Sequence, residues 1–312
     1  MTAAAAVLAQ AVRSGLVSAS AALSGAVTVT RIEGSNPVLR LAHDGRVLAF
    51  VKGTGPAARL NGEDTVARER AVMARLSAFA GAPAELATGT ADDLWLAPVA
   101  GRPLASLVGD IAVLSEAFAA LGRTLADLHR VPVSPGAPVM GLPWPMLETT
   151  PSHMETARYH EVPTRVIATA RDLSDVAAGA RRAWRPEGWA HGDVSASNVL
   201  VDAEGAHLVD WESAGLGNRS WDLAGARVLA EQAAPEWSEL AMRRLLSAYR
   251  EAGGAAPEPD PALWCVRLLV AAYQLAVGVL VGGGTPDADG SVSALLERAR
   301  EAGERWRERA HG

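Results

Sequence analysis

The first part of the chain shows short apolar runs separated by turn signals, a pattern typical of antiparallel strands. Residues 27–32, 37–41 and 46–52 are such runs, each rich in valine, leucine or other residues that favour strands. Asp44-Gly45 separates the second run from the third, and an Asp-Gly pair favours a tight hairpin turn. The pattern predicts consecutive strands between residues 26 and 52.

The pattern then changes to helical spacing. Asp64 stands ahead of an amphipathic segment that runs to Leu76, and an aspartate in that position favours the N-cap of a helix. Beyond residue 101, helical spacing predominates, as in 121–128, and the prolines between 257 and 261 mark a loop between late helices. We therefore expect a small strand-rich lobe, residues 1–97, followed by a larger and mainly helical lobe, residues 98–312.

The composition is that of an ordinary globular protein. Hydrophobic residues make up 49% of the 312 residues and charged residues 21%. The net charge of −6 gives no general reason to expect a nucleic-acid partner. A single cysteine, Cys265, excludes an internal disulfide and fits a reducing cytoplasm, and its apolar neighbours predict a buried structural thiol. With one cysteine and scattered histidines, we expect no metal cluster of the Cys/His kind.

Two segments bear on targeting and membranes. The Ala-rich N-terminus has no basic residue before Arg13, so it lacks the charged start of a signal peptide. The apolar stretch 268–281 contains Gln274 and is shorter than the roughly 20 residues that a membrane-spanning helix needs. We predict a buried core helix there, no membrane, and a cytoplasmic protein.

The use of basic residues is strongly biased. Of the 29 basic residues, 28 are arginine and the single lysine is Lys52, which ends the apolar run 47–51. Because arginine serves for nearly every other cation in this chain, the one lysine indicates a site that needs a compact ammonium group rather than a wide guanidinium.

The residues that indicate chemistry lie between 189 and 212. His191, Asp193 and Asn198 form an H-x-D-x-x-x-x-N pattern, and Asp210 follows a second short apolar run. Phosphoryl transfer needs a carboxylate for the acceptor hydroxyl, oxygen ligands for Mg²⁺ and a cation for the phosphates that are not transferred. The loop and Asp210 offer the first two, and Lys52 offers the third.

These segments resemble the aminoglycoside phosphotransferase and choline kinase family, whose members are relatives of the protein kinases. His191-Gly192-Asp193 with Asn198 is similar to the catalytic loop of that family, and Asp210-Trp211-Glu212 stands where protein kinases have Asp-Phe-Gly. Residues 214–224 and 121–129 are similar to two further family segments, so the resemblance extends from about residue 26 to residue 229. It implies an α+β, bilobal, protein-kinase-like fold with one long helix beside the N-lobe sheet.

The resemblance also implies roles in catalysis and metal binding. The catalytic residues would be Asp193 and His191. Asp193 would be the base that receives the acceptor hydroxyl, and His191 would brace the catalytic loop. Asn198 and Asp210 would hold Mg²⁺ against the phosphates of ATP. Asp222 would stabilise the loop by hydrogen bonding.

For the nucleotide, the resemblance implies that Lys52 contacts the α- and β-phosphates and that Glu69 steadies it. Pro98, Val99 and Gly101 would lie in the hinge that pairs with adenine, and Ser35 would lie in the turn over the phosphates. That turn, residues 33–37, departs from a G-x-G-x-x-G loop, so how ATP is covered stays open, as does GTP as donor.

The acceptor is the open question, and the first hypothesis is a small molecule such as an aminoglycoside or a related metabolite. A cationic aminoglycoside would need several carboxylates in the helical lobe, and the sequence offers Glu251, Glu258, Asp260, Asp287 and Asp289.

The alternative acceptor is a Ser or Thr of a ribosomal precursor peptide, as in lanthipeptide and thioamitide biosynthesis, with a separate lyase partner that eliminates the phosphate. A long segment, 141–171, would serve as a lid or groove, and a basic run would meet an acidic leader peptide. That run is Arg171, Arg181, Arg182 and Arg185. A pseudokinase that binds without turnover is disfavoured, because the base, the metal aspartate and the lysine are all present.

Overall fold

The computed structural model describes residues 3–32, 37–55, 64–107, 109–151, 154 and 159–311. In it the chain divides into two compact units, Met1–Ala100 and Gly101–Gly312. The functions predicted for lobes 1–97 and 98–312 are not decided by this division and remain predictions.

The first unit is built on a four-stranded antiparallel sheet in the order β1-β2-β3-β4. Leu41, Ala49 and Trp95 from this sheet are fully buried and share a core with Val7 and Ala11 of the first helix. The elements are, in chain order, α1 (Ala3–Arg13), α2 (Ala19–Leu23), β1 (Val27–Ile32), β2 (Val38–His43), β3 (Arg46–Gly53), α3 (Thr65–Arg75) and β4 (Asp93–Leu96).

The predicted turn and helix start of this unit are both present. Asp44 (φ 47°) and Gly45 (φ 79°) have the positive φ angles that a two-residue hairpin turn requires, and they join β2 to β3. The carboxylate of Asp64 accepts a hydrogen bond from the Ala67 amide at 2.9 Å and so caps α3. The local turn and cap signals of the sequence are therefore confirmed.

The second unit is mainly helical, with short strands inserted around the catalytic segment. Its helices are α4 (Ile111–Arg130), α5 (Glu161–Asp172), α6 (Ser174–Ala183), α7 (Ser220–Ala233), α8 (Ser238–Glu251), α9 (Pro261–Val281) and α10 (Ser291–His311). Its strands are β5 (Arg102–Pro103), β6 (Gly188–Ala190), β7 (Val199–Val201), β8 (Ala206–Leu208) and β9 (Gly215–Gly217).

The short strands hold the catalytic loop at both ends. β6 precedes residues 191–198 and pairs antiparallel with β9, whereas β7 follows them and pairs with β8. Strand β5 extends the second of these sheets, in the order β5-β7-β8. Since each strand has only two or three residues, helical spacing predominates in the sequence of this unit.

Helix α9 runs through the core of the second unit. In the described part of the chain, one helical segment, Pro261–Leu280, is long and apolar enough to cross a membrane by length and composition alone. In the fold, 56% of its most apolar 18-residue stretch is buried. The prediction that this stretch is too short was wrong, because it counted only from Leu268. The predicted buried core helix is confirmed, and Cys265 lies in it, fully buried, with the pKa of its thiol raised to about 12 by burial.

Candidate active site

The first unit contains an ion pair between the single lysine and a helix carboxylate. Lys52 on β3 is 5% exposed, Glu69 on α3 is fully buried, and Lys52 Nζ lies 2.7 Å from Glu69 Oε2. Two opposite charges so deeply buried satisfy each other electrostatically, and neither would be stable there alone. The structure thus brings together the pair that the sequence proposed, while its role towards a nucleotide stays a prediction.

In the second unit the catalytic loop is anchored by one buried carboxylate. Asp222, in the first turn of α7, accepts hydrogen bonds from the backbone amides of His191 (2.8 Å, Oδ2) and Gly192 (2.9 Å, Oδ1). Gly192 has a positive φ of 86°, and a Cβ at this position would lie 2.7 Å from the carbonyl oxygen of Ser213. Glycine is therefore required at position 192, and the two bonds to Asp222 hold the backbone at the start of the loop.

Asp222 is itself oriented by a second buried group. His129 Nε2 lies 3.1 Å from Asp222 Oδ2, and the other ring nitrogen lies 2.9 Å from the hydroxyl of Tyr249. Burial alone would raise the pKa of Asp222, but the hydrogen bond from His129, the electrostatic attraction of His129 and of the nearby His191, and the Gly192 amide together hold it below its ordinary value. Asp222 is thus an ionised anchor at neutral pH.

Both ring nitrogens of His191 form hydrogen bonds to the backbone around the loop. Its ring is fully buried, Nε2 donates to the carbonyl oxygen of Val209 at 3.1 Å, and Nδ1 accepts from the Asp193 amide at 3.3 Å. The amide of Val209 donates to the carbonyl oxygen of Asn198 at 3.0 Å. These bonds tie both ends of the loop to the residue just before Asp210.

Asp193 is the partly exposed carboxylate of this loop, and both of its oxygens have partners. Asn198 Nδ2 donates to Oδ2 at 3.0 Å and to the Asp193 carbonyl oxygen at 3.1 Å. Arg267 Nη2 donates to Oδ1 at 3.1 Å, and Gln274 Nε2 lies 3.4 Å from the same oxygen. The carboxylate has a side-chain exposure of 22%, so it remains accessible to an acceptor.

The oxygens of Asn198 and Asp210 suit a magnesium ion. Since the Asn198 amide nitrogen is turned towards Asp193, its Oδ1 faces away, where it accepts a bond from the Ser197 hydroxyl at 3.2 Å. Asp210 has a left-handed backbone (φ 68°), uncommon for a residue other than glycine, directly before the turn Trp211–Ser213. Carboxylate and amide oxygens are the donors that Mg²⁺ prefers, so the residues present fit this ion.

The remaining residues predicted to bind the nucleotide are Ser35, Pro98, Val99 and Gly101. Ser35 lies outside the described residues. Pro98 is exposed and Val99 half-buried at the end of the first unit, whereas Gly101 opens the second with a φ of 115°. A Cβ on Gly101 would lie 2.9 Å from the carbonyl oxygen of Val201, so glycine is needed there for packing on β7. A role for these residues towards adenine remains a prediction.

Sequence reasoning missed Arg267 and Gln274 at the site. The sequence did contain a signal for Arg267, because it is the only charged residue in a mostly apolar helix of 21 residues. His129 is buried at 2% exposure.

Comparison with known proteins decides the family. The sequence pattern of the phosphotransferase enzyme family (APH) matches residues 28–262, about three quarters of the chain. The chain belongs to the phosphotransferase enzyme family. Among curated proteins, none has a sequence that matches this chain.

Solved structures of phosphotransferases and related kinases share the fold. A choline/ethanolamine kinase family protein from Mesorhizobium loti has a TM-score of 0.58 at 16% identity and covers 95% of this chain and 94% of its own. An aminoglycoside phosphotransferase from Streptomyces rimosus, in complex with ADP and streptomycin, has a TM-score of 0.57 at 18% identity, with coverages of 84% and 97%. A macrolide 2′-phosphotransferase from Brachybacterium faecium gives 0.54 at 21%, with coverages of 95% and 97%.

The family and the shared fold confirm two predictions. The chain has an α+β, protein-kinase-like fold, with an antiparallel sheet in its first unit and a mainly helical second unit. It is a phosphotransferase that acts on an alcohol group.

Proposed function

We propose that this phosphotransferase transfers the γ-phosphoryl group of Mg-ATP to a hydroxyl group of a small molecule. The observation that carries the proposal is the exposure and the fixed orientation of the Asp193 carboxylate. Its carboxylate is partly exposed, is held through both oxygens, and sits on a loop whose backbone is fixed by Asp222. A carboxylate held in this way is suited to orient an acceptor hydroxyl for attack and to take up its proton.

The other residues of the site would bind the metal ion and the phosphates of the nucleotide. Asn198 and Asp210 would hold Mg²⁺, which when bound neutralises charge on the phosphate oxygens. Lys52, fixed by Glu69, would contact the α- and β-phosphates. In the transfer, the acceptor oxygen forms a bond to the γ-phosphorus, the bond from that phosphorus to the bridging oxygen of ADP breaks, and the acceptor proton passes to Asp193. ADP in the related aminoglycoside phosphotransferase from Streptomyces rimosus supports an adenine nucleotide as donor.

For the acceptor, the five carboxylates suggested for a cationic aminoglycoside all have structural partners. Glu258 pairs with Arg250, and Asp287 pairs with Arg165. Asp260 and Asp289 cap backbone amides at the starts of α9 and α10, and Glu251 accepts from Ser247. These contacts give no support to a polycationic acceptor, so the proposal is kept to a hydroxyl-bearing small molecule without a required positive charge.

Part of the basic run suggested for an acidic leader peptide already has partners within the fold. Of the four arginines in the basic run, Arg181 pairs with Glu148, and Arg185 donates to the backbone carbonyls of Arg182 and Trp184. Arg171 and Arg182 are exposed. A phosphorylated Ser or Thr in a peptide would call for a separate lyase, and this acceptor class is kept as an outcome of the experiment.

The deciding experiment is mass spectrometry after incubation with Mg-ATP and separate acceptor pools. One pool contains neutral and anionic hydroxyl compounds, a second contains aminoglycosides, and a third contains Ser/Thr peptides with acidic leaders. We expect a gain of one phosphate in the first pool only. Asp193→Asn should abolish it, whereas Asp127→Asn, the same change at an exposed position of α4, should not.

Labelling of the second or third pool would replace the proposed acceptor class and leave phosphotransfer intact. ATP binding by calorimetry without transfer to any pool, and without loss on Asp193→Asn, would overturn the proposed function in favour of a binding protein.

A further inference from the structure

Arg267 is a buried charge in a mostly apolar helix. It is 2% exposed and is the only charged residue of α9. Moving a guanidinium from water into a protein core is costly unless it is paired and hydrogen-bonded. Apolar residues fill the same helix on either side of it, so packing alone gives no reason for an arginine here.

The surroundings of Arg267 form a site built for its guanidinium group. Nη2 donates to the carbonyl oxygen of Val194 at 3.2 Å as well as to Asp193, and the guanidinium carbon lies 5.4 Å from the ring centroid of Trp221. Gly225, one turn after Trp221 on α7, leaves room for the guanidinium group. A Cβ at this position would lie 3.3 Å from Arg267 Nε and 3.0 Å from the carbonyl oxygen of Val194. The guanidinium is therefore held on several sides, and it reaches the catalytic loop from a helix 74 residues further along the chain.

The effect of these contacts falls on Asp193. Arg267 fixes Oδ1, Asn198 fixes Oδ2, and the two donors lie on different segments of the chain. A carboxylate held by one donor can rotate about its Cβ–Cγ bond, whereas donors on both oxygens define the plane of the group. Positioning of this kind matters because a displacement of about 1 Å can cost about 100-fold in rate.

The match to the phosphotransferase enzyme family ends at residue 262, five residues before Arg267. We propose that Arg267 is a positioning residue that holds the Asp193 carboxylate towards the acceptor hydroxyl, an inference that rests on the proposed function. Gln274, exposed and 3.4 Å from the same oxygen, lies two turns further along the same helix and assists it. Arg267 acts through Asp193 and makes no contact with the phosphates in this assignment.

The test compares four proteins: wild type, Arg267→Met, Asp193→Asn and the double variant. The measured reaction is release of inorganic phosphate from Mg-ATP, with water as the acceptor. We expect Arg267→Met to lower kcat about 100-fold with KM for ATP unchanged. Arg267→Lys, which keeps the positive charge, should lower kcat less than Arg267→Met does. In the Asp193→Asn background, removal of Arg267 should have no further effect, because the group that it positions is gone.

Two further variants separate positioning from loss of stability. Gly225→Ala keeps the charge of Arg267 but crowds its guanidinium, so kcat should again fall. Arg298→Met removes an ion pair with the buried Glu231 and so should lower stability, yet kcat should be unchanged. Equal losses of kcat in Arg298→Met and Arg267→Met, or multiplicative losses in the double variant, would overturn the proposal.

The stability of the same four proteins is also measured by urea unfolding, a readout that does not depend on enzymatic turnover. Coupling between Arg267→Met and Asp193→Asn is expected, and strictly additive effects on stability would overturn the proposal even in an inactive preparation. If wild type releases no phosphate and does not bind ATP, the proposed function fails, and this result is distinct from the absence of coupling between the two residues.

Discussion

Lys52 and Glu69 show how much a single buried contact decides at the scale of residues. Each charge is nearly or fully removed from water, and they lie 2.7 Å apart. A charge left alone in such a place costs far more than the pair contributes when it is complete. The pair therefore maintains the conformation of β3 against α3 as long as both members are present.

This argument predicts a non-additive mutant cycle. Glu69→Met and Lys52→Met should each lower the free energy of unfolding by about 3–5 kcal/mol, because each leaves one buried charge without its partner. The double variant Lys52→Met/Glu69→Met should lower it much less than either single variant. Urea unfolding of all four proteins measures the cycle.

The matched control is an ion pair at the surface. Arg130 and Asp127 are each more than half exposed, so Asp127→Asn should change stability by less than about 1 kcal/mol. A double variant at Lys52 and Glu69 as unstable as the sum of the two single variants would contradict the cycle.

At the scale of elements, the approach of helix α4 to helix α8 depends on a glycine. A Cβ on Gly122 of α4 would lie 2.3 Å from the carbonyl oxygen of Leu245 on α8 and 3.1 Å from the amide nitrogen of Tyr249. The obstacle is backbone, which cannot move aside as a side chain can. The two helices come this close because position 122 has no side chain. The contact matters for the site, since Tyr249 on α8 bonds His129 on α4.

Two glycine-to-alanine changes in helices should therefore have opposite effects. Gly122→Ala should destabilise the protein by about 1–3 kcal/mol through overpacking. Gly278→Ala, in α9 with no atom near the added Cβ, should stabilise it by about 0.5–1 kcal/mol, because alanine loses less backbone entropy on folding. Thermal unfolding of both variants gives the comparison, and a stabilised Gly122→Ala protein would show that the helices can separate at little cost.

At the scale of the whole molecule, Asp222 connects stability to pH. Its pKa in the folded protein lies below the ordinary value, despite burial, because of His129, His191 and the Gly192 amide. A carboxylate of this kind binds its proton more readily in the unfolded chain, where its pKa is about 3.9. Its contribution to stability is therefore fully present well above that pKa and is lost as the pH falls through the folded-state value.

We predict that the difference in unfolding free energy between wild type and Asp222→Asn is constant from pH 7 to about pH 5 and shrinks as the pH falls further. Urea unfolding at pH 7, 5, 4 and 3 measures this difference, in which the titration of other carboxylates cancels. A difference that is the same at pH 3 as at pH 7 would mean that Asp222 does not stabilise the fold through its charge.

The sequence alone determined the features that rest on local spacing. The strands and hairpin turn of the first unit and the Asp64 cap followed from patterns within short segments, because turn and cap chemistry acts over a few residues. The kinase-like fold followed from the resemblance of the catalytic segments to a known family. Composition singled out Lys52 as the one lysine among 29 basic residues, and the family resemblance supplied Glu69 as its partner. The length of α9 was missed because an internal arginine interrupted its apolar pattern.

Only the tertiary structure decided which distant side chains meet. Arg267 reaches Asp193 across 74 positions, and His129 reaches Asp222 across 93. The tertiary structure likewise gave partners to the five carboxylates suggested for a cationic acceptor. Asp287, for example, pairs with Arg165, which lies 122 positions away in the sequence. Periodicity and spacing describe neighbours along the chain, whereas these contacts depend on how helices pack, and packing is a property of the complete fold.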